Sequence, residues 1–303
     1  MKKKIWKFTI WIVLVIVFGV TSWLCEKTDL CSISILSSFF GALSIFFFEK
    51  ALKAYQDFLD NTDWKSSQRK LKRGGYIKDN EIIRISFAYL YRIKVGNKYL
   101  LVQNSRNTGK YQPVGGVYKI QGNEKLELKK LYHIMDDDKI QLDESSRNDY
   151  RLRMENRYLR KFMRRFNSKN TERERIENVS REFKEELVET GVLDWKDITY
   201  RYCGRHITEL KYSDHFQLYE MLLADVVELI PTKEQEDDLK ILEKCKCDKI
   251  CFATAKQITQ LGVDFDGGKL YEWIGDHTIK ILQENESKLI KMPETGKTFK
   301  VYL

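Results

Sequence analysis

Glu182, Glu185, Glu186 and Glu189 recur at three- and four-residue steps within Ser180-Arg181-Glu182-Phe183-Lys184-Glu185-Glu186-Leu187, a stretch closed by Thr190-Gly191. On a helix, at ~100° per residue, these carboxylates share one stripe. Ile176, Val179, Phe183 and Leu187 form a second, apolar stripe roughly a third of a turn away, and Gly191 is placed to end the helix in a left-handed cap. The acids therefore gather at the rim of a core. Like charges at this spacing cost a few tenths of a kcal/mol per pair in an isolated helix, so the cluster calls for a cation, either a metal or nearby Arg and Lys. A plainer reading stands beside it. Glu177–Arg181 and Arg181–Glu185 are i,i+4 pairs, and such a face also serves as a solvated, salt-bridged surface.

The elements that must position this helix are legible around it. Ile82 to Val95 and Lys98 to Gln103 are rich in Ile, Val, Tyr, Phe and Leu, and Gly96-Asn97 between them predicts a hairpin. Tyr111 to Tyr118 holds Pro113 and Gly115-Gly116, a short strand with a glycine bend at which a backbone can approach a ligand. Ile198 to Leu210 and His215 to Leu229 read as further strands, and Ile274 to Leu282 as part of a closing helix that begins near Gly268. From Arg147 to Phe166 the pattern predicts a helix, with Leu152, Leu159, Phe162, Met163 and Phe166 on one side and Arg153, Arg157, Arg160 and Arg164 in a line on another. An arginine line suits phosphate, because the guanidinium fork meets two oxygens at once; it equally suits an acidic protein surface or solvent.

Ahead of all this lie two uncharged runs, Phe8 to Leu24 and Leu30 to Phe48, each long enough to cross most of a ~30 Å hydrocarbon layer. The short link Cys25 to Asp29 makes them a helical hairpin. Lys2, Lys3, Lys4 and Lys7 before the first run, and Lys50, Lys53, Lys65, Arg69, Lys70, Lys72 and Arg73 after the second, place both termini in the cytoplasm of a multi-pass inner-membrane protein. A cleaved signal peptide is the rival, but Trp23 and Leu24 stand where small residues would be needed. Ser34, Ser37, Ser38, Gly41 and Ser44 give the second run a small-residue face suited to oligomerisation or to lining a pore. The expected organisation is a hairpin over 1–49, a charged helical linker over 50–78 broken by Gly74-Gly75, and a cytoplasmic domain over 79–303 with a helical insertion at about 122–175. The net charge of +9 favours phosphates or anionic headgroups as partners. Cys245, Cys247 and Cys251 lack a fourth nearby ligand and read as idle thiols, and no close metal spacing joins His133, His206, His215 and His277.

The strand pair, Pro113-Val114-Gly115-Gly116 and Arg181-Glu182-Phe183-Lys184-Glu185-Glu186 together resemble the NUDIX family, whose box runs Gly-x5-Glu-x7-Arg-Glu-apolar-x-Glu-Glu-x-Gly. The resemblance implies an α/β fold, a NUDIX-like α/β/α sandwich with a mixed sheet, here preceded by a two-helix transmembrane hairpin. It also implies that Glu182, Glu185 and Glu186 stand where that family's carboxylates hold Mg2+; the candidate ligand contacts read from the residues themselves are Gly115 and Gly116 of the bend, Arg181 beside the acids, and Arg153, Arg157 and Arg160 of the arginine line. The chain departs from the box in three places. Gly116 and Arg181 are about 65 positions apart where the box expects about fourteen, Gly122 stands at the upstream glutamate's position with Glu124 nearby, and Val188 replaces the final glycine. A two-span hairpin joined to such a domain is similar to the SMODS-associated NUDIX effectors of bacterial cyclic-oligonucleotide antiphage signalling. What that resemblance implies is a homo-oligomeric membrane effector that binds a cyclic nucleotide made by a partner nucleotidyltransferase, without direct binding of nucleic acid, and then disrupts the membrane to kill the cell.

Three functions remain open on the residues themselves. One is a nucleotide sensor with little or no catalysis. Another is a membrane-tethered, Mg2+-dependent hydrolase of nucleoside diphosphate-linked compounds. The third is a structural membrane protein whose acidic helix is a solvated face.

Overall fold

The computed structural model describes residues 2–27, 34–59, 64–104, 109–140, 146–245, 247–264, 269–270 and 272–303. It divides into two units, Met1–Asp63 and Trp64–Leu303.

The first unit is a pair of helices, α1 (Lys2–Lys27) and α2 (Ser34–Leu59). They run antiparallel. Trp11 stacks on Phe47 at 5.8 Å, Phe18 meets Phe47 at 5.2 Å and Phe40 at 6.1 Å, and the Ser22 hydroxyl donates to the Ser37 carbonyl at 2.9 Å. A Cβ on Gly19 would lie 3.5 Å from Ser44 Oγ, and one on Gly41 3.7 Å from Ser22 Oγ. Small residues thus let the two backbones close up, as they do between helices in lipid. Gly41 and Ser44, expected on a face for other copies or for a pore, are instead spent inside this hairpin. Over Phe8–Lys27, α1 is long and apolar enough to cross a membrane, with a mean hydropathy of 2.3. The link between the helices, from residue 28, lies outside the described residues.

The second unit begins at Trp64 with α3 (Trp64–Arg73). This helix was expected to belong to the linker, but its Trp64, Ser67 and Gln68 side is buried: Gln68 Nε2 donates to Asn156 Oδ1 at 2.6 Å and the Leu210 N–H to Ser67 Oγ at 2.9 Å. The strands are β1 (Ile82–Arg92), β2 (Lys94–Val95), β3 (Lys98–Gln103), β4 (Tyr111–Gln112), β5 (Gly115–Val117), β6 (Met135–Asp136), β7 (Arg151–Glu155), β8 (Asp197–Ile207), β9 (Lys211–Ser213), β10 (Leu218–Leu229), β11 (Ile250–Thr254), β12 (Val263–Asp264), β13 (Lys269–Leu270) and β14 (Thr298–Tyr302). The main sheet has the order β14-β8-β10-β1-β7-β6, with β5 also on β1 and β9 on β10. It is mixed. β1 runs parallel to β10 and antiparallel to β5 and β7. A smaller sheet, β11-β3-β2 with β4 on β3, includes the predicted hairpin, in which Val95 pairs with Lys98 across Gly96 at φ +59°.

β1 is nearly continuously buried, as a strand covered on both faces must be. On one face Phe87 packs on Phe162 and Phe166 of α5 (Leu159–Phe166), which follows α4 (Glu124–Tyr132) in the chain, and Tyr91 packs on Phe183. On the other, Leu90 joins Leu101, Ala253, Ile258 and Ile281 in a second core. Helices on one face and the small sheet on the other give a mixed α/β architecture, in which the small sheet largely takes the place of the second helical layer of the implied α/β/α sandwich.

Three expectations are corrected. Residues 147–166 are not one helix: Arg151-Leu152-Arg153-Met154-Glu155 alternates at period two and forms β7, buried at Leu152 and Met154, before a 3-10 turn at Asn156–Tyr158 and α5. Arg153, Arg157, Arg160 and Arg164 therefore do not make a line. The segment 122–175 is likewise no helical insertion standing apart from the sheet, because β7 pairs with β1 from Ile82–Glu155 to Ser86–Arg151. Asp276–Ile281 is a 3-10 turn rather than the middle of a closing helix, whose expected start near Gly268 lies outside the described residues.

Buried charge ties the strands together. Asp225 on β10, 1% exposed, accepts from Arg205 on β8 at 2.7 and 2.8 Å and from the Tyr118 and Tyr202 hydroxyls at 2.7 and 2.5 Å. Burial opposes its charge, but Arg205 holds the carboxyl below its usual range. Asp225→Ala strands a buried guanidinium, and we expect a loss of about 3–5 kcal/mol. That corresponds to roughly 10 °C in melting temperature for a domain of this size. The double replacement Asp225→Leu with Arg205→Met should recover most of it in the same thermal melts.

Candidate functional site

The carboxylate helix is shorter and less regular than its sequence suggests. A 3-10 turn at Ile176–Asn178 leads to a single α-turn at Arg181–Phe183, which widens into a π-turn at Lys184–Val188 closed by the Glu189 N–H on the Lys184 carbonyl at 2.9 Å. Such π-turns are frequent at functional sites. The apolar stripe is where it was expected, with Ile176, Val179, Phe183 and Leu187 all buried, and Gly191 caps the run at φ +76°. Tyrosines from the sheet hold the lead-in. The Tyr91 hydroxyl donates to the Val179 carbonyl, and Tyr200 donates to Ile176 O at 2.9 Å and accepts from the Val179 N–H at 3.1 Å.

The helix meets the glycine bend directly. Gly115 and Gly116 pair with Leu90 and Tyr89 of β1. The Gly115 N–H donates to Glu186 Oε2 at 3.0 Å. Gly115 sits at φ +148°, and a Cβ there would fall 2.2 Å from the Tyr89 carbonyl oxygen; on Gly116 it would fall 1.8 Å from Glu182 Oε1. Gly115 is therefore required by the backbone beneath it, whereas a side chain at Gly116 would have to push the Glu182 carboxylate aside.

Arg181 is the cation of the cluster. Its guanidinium bonds Glu182 at 2.5 Å, Glu185 at 3.4 Å, Glu174 at 3.3 Å and the Val117 carbonyl at 3.0 Å. Burial works against its charge, but Tyr89, Glu182 and Glu174 outweigh burial and raise its pKa. Its Nε is buried and has no hydrogen-bond partner among the described residues. Glu174, which the spacing did not single out, also accepts from the Tyr89 hydroxyl at 3.2 Å and the Lys119 N–H at 3.2 Å, and burial raises its pKa. Burial is likewise the first cause at Glu186, reinforced by Glu182 and Glu185 and opposed by the Gly115 N–H; its carboxyl is pushed up to about 8.

Glu182, Glu185 and Glu186 line a cavity of about 530 Å³ with Val102, Gln103, Asn104, Thr190 and Lys249. Among the described residues no three acidic, histidine or cysteine side chains converge to hold a metal ion. As the site stands, Glu182 and Glu185 are held by the Arg181 guanidinium and Glu186 by the Gly115 N–H, so a divalent ion would have to draw them off these partners. Glu124, the nearest substitute for the upstream glutamate, is 1% exposed and committed to Arg165 at 2.6 Å through both oxygens.

The family model described as the SMODS-associated NUDIX domain matches residues 82–282. The chain belongs to this family. A solved structure described as a UDP-X diphosphatase is similar at 10% identity and a TM-score of 0.23, over 93% of this chain and 96% of that one; a likeness at that score carries no argument. No curated protein matches the chain.

Of the residues expected around a ligand, the NUDIX domain brings Gly115, Gly116, Arg181, Glu182, Glu185 and Glu186 together. The other three arginines lie elsewhere. Arg153 pairs with Asp138 at 2.5 Å, whereas Arg157 and Arg160 line a different cavity. Asp137, also outside this cavity, is buried and pairs with Arg84 at 2.8 Å.

Two outcomes test this geometry. Gly116→Ala should displace the Glu182 carboxylate from Arg181 and cost about 1–2 kcal/mol, and Glu182→Ala should relieve much of that cost in a double-mutant cycle, whereas Gly115→Ala, which meets backbone, should not be relieved. Glu186 has a folded pKa near 8. An unfolded carboxyl near 4.3 gives it up earlier, so the contribution of Glu186 to stability is whole below about pH 4 and is lost as pH rises toward 8. Glu186→Gln should then match the parent at pH 4 and exceed it by about 1–3 kcal/mol at pH 8, read from denaturant melts. If Glu186 served as a metal ligand, added Mg2+ would instead stabilise the parent and leave the variant unchanged.

Proposed function

We propose that this NUDIX-family protein is a membrane effector of antiphage defence: the domain senses a cyclic nucleotide second messenger, and the helical hairpin answers by disrupting the membrane and killing the cell. The observation that carries the proposal is the state of the carboxylate helix. Arg181 of the same helix engages Glu182 and Glu185, Glu186 is held by the Gly115 N–H, the upstream glutamate is missing, and the glycine bend still closes on the helix beside a cavity of small-ligand size. A pocket that keeps its shape without assembling hydrolytic donors suits recognition better than turnover. In this reading Lys249 meets a phosphate, and the Glu186 carboxyl meets a ribose or base. The apolar α1 and its antiparallel partner α2 form the output, with both termini in the cytoplasm, copies of the chain assembling on ligand, and a nucleotidyltransferase as the source of the messenger.

A second reading rests on the same cavity. If substrate draws Glu182 and Glu185 off Arg181, a divalent ion finds oxygen donors beside the bend, and the protein is a tethered hydrolase of nucleoside diphosphate-linked compounds.

Full-length protein in liposomes loaded with a quenched dye separates the two. With a panel of cyclic di- and trinucleotides, we expect one member to bind, to be recovered unchanged and to release dye. Retained dye and no binding across the panel, with Mg2+-dependent turnover of a nucleoside diphosphate sugar that collapses in Glu185→Gln, would establish the hydrolase instead.

A further inference from the structure

The cavity beside the carboxylate helix offers a ligand more hydrogen-bond acceptors than donors. Glu182, Glu185 and Glu186 each commit one oxygen to the protein: Glu182 Oε1 accepts from Arg181 at 2.5 Å, Glu185 Oε2 from Arg181 at 3.4 Å and Glu186 Oε2 from the Gly115 N–H at 3.0 Å. The second oxygen of each has no partner among the described residues, and neither Glu182 Oε2 nor Glu186 Oε1 is closed off from solvent. The donors opposite them are fewer. They are the Lys249 ammonium, which gives one hydrogen to the Thr190 carbonyl at 2.9 Å, and the side-chain amide of Gln103.

Glu185 is the carboxylate best placed to meet a ligand. Its side chain is 48% exposed against 16% for Glu182, and its bond to Arg181 is the longest that guanidinium makes, so a ligand displaces least there. An ionised carboxylate presents two acceptor oxygens side by side and no donor. Among the common nucleobases, guanine alone matches that pair, with N1–H and the N2 amine adjacent on one edge. Adenine sets its N6 amine beside a bare N1, cytosine its N4 amine beside a bare N3, and uracil flanks its N3–H with carbonyl oxygens. Each of those edges turns a lone pair toward a carboxylate oxygen and leaves it unpaired, which is how a polar site rejects a near-isostere. The remaining guanine groups, O6 and N7, are both acceptors, and Lys249 and Gln103 supply donors for them.

We infer that the carboxylate cavity selects a guanine base, read by the Glu185 carboxylate at N1–H and the N2 amine. The inference rests on the reading of this cavity as a nucleotide site and names the base that the site chooses, whether the nucleotide is sensed or turned over.

The test is calorimetric titration of full-length protein in neutral detergent, with EDTA present so that no metal bridges carboxylate and phosphate. The probes are cyclic di-GMP, cyclic GMP–AMP, cyclic di-AMP and cyclic di-IMP, with GDP and ADP as linear counterparts. We expect guanine ligands to bind at least about tenfold more tightly than their adenine counterparts. The hypoxanthine ligand keeps N1–H but lacks the N2 amine, and it should fall about tenfold below guanine, the worth of one hydrogen bond to a charged group. Glu185→Gln sets a donor where an acceptor stood and should erase the preference by weakening guanine binding about tenfold. Glu189→Gln, an exposed carboxylate at the end of the same helix and outside the cavity, should leave it unchanged. Equal affinity for guanine and adenine ligands, or a guanine preference that survives Glu185→Gln, overturns the inference and leaves the nucleotide reading standing. Binding of none of the probes removes both. Should Glu185→Gln not fold, the parent decides through guanine against hypoxanthine, where equal affinities overturn the inference.

Discussion

Arg181 holds a charge that its surroundings would suppress, and it keeps that charge because carboxylates close around it from two directions. Glu182 and Glu185 come from its own helix, and Glu174 comes from the segment before it. The same guanidinium reaches the Val117 carbonyl at the end of the glycine strand, so it fastens helix to sheet as well as acid to acid. Breaking one partner of such a group costs more than the pair contributes, because a buried charge is left without compensation. The site is thus stable as a closed ionic knot, and any ligand that uses these carboxylates has to compete with Arg181 for them.

The sheet makes that knot possible by supplying tyrosines in place of aliphatic side chains. Tyr89 and Tyr91 sit two residues apart on one face of β1, so both rings lie beneath the carboxylate helix while their hydroxyls reach its lead-in and Glu174. Aromatic rings supply the apolar burial, and their hydroxyls satisfy backbone and carboxylate groups that would otherwise be orphaned. Leu or Val at these positions would pack as well and leave the Val179 carbonyl dry and unpaired.

How much of this the sequence disclosed follows from how local each signal is. The stripe of Ile176, Val179, Phe183 and Leu187, the Gly96-Asn97 turn and the glycine bend depend on neighbours a few residues away, and all three are found where they were expected. The helix assigned to 147–166 fails because four arginines at helical spacing masked the period-two alternation of Arg151 to Glu155. Arg205–Asp225, Arg92–Glu286 and Glu174–Arg181 pair charges that only the fold brings together, and nothing in composition separates such residues from solvated ones. Glu174 is the costliest omission at the site, since it completes the shell of Arg181.

Charge is segregated across the domain. Carboxylates crowd the bend at Gly115 and Gly116, and cations crowd the groove beside α3, each cluster closed by a partial internal counter-ion. At the acidic cavity a phosphorylated ligand needs a proton on Glu186, the Lys249 ammonium or an imported cation before its oxygens are tolerated. The acidic cavity therefore suits the hydroxyl and base edges of a nucleotide better than its phosphates, and a ligand there is recognised chiefly by hydrogen-bond donors and acceptors.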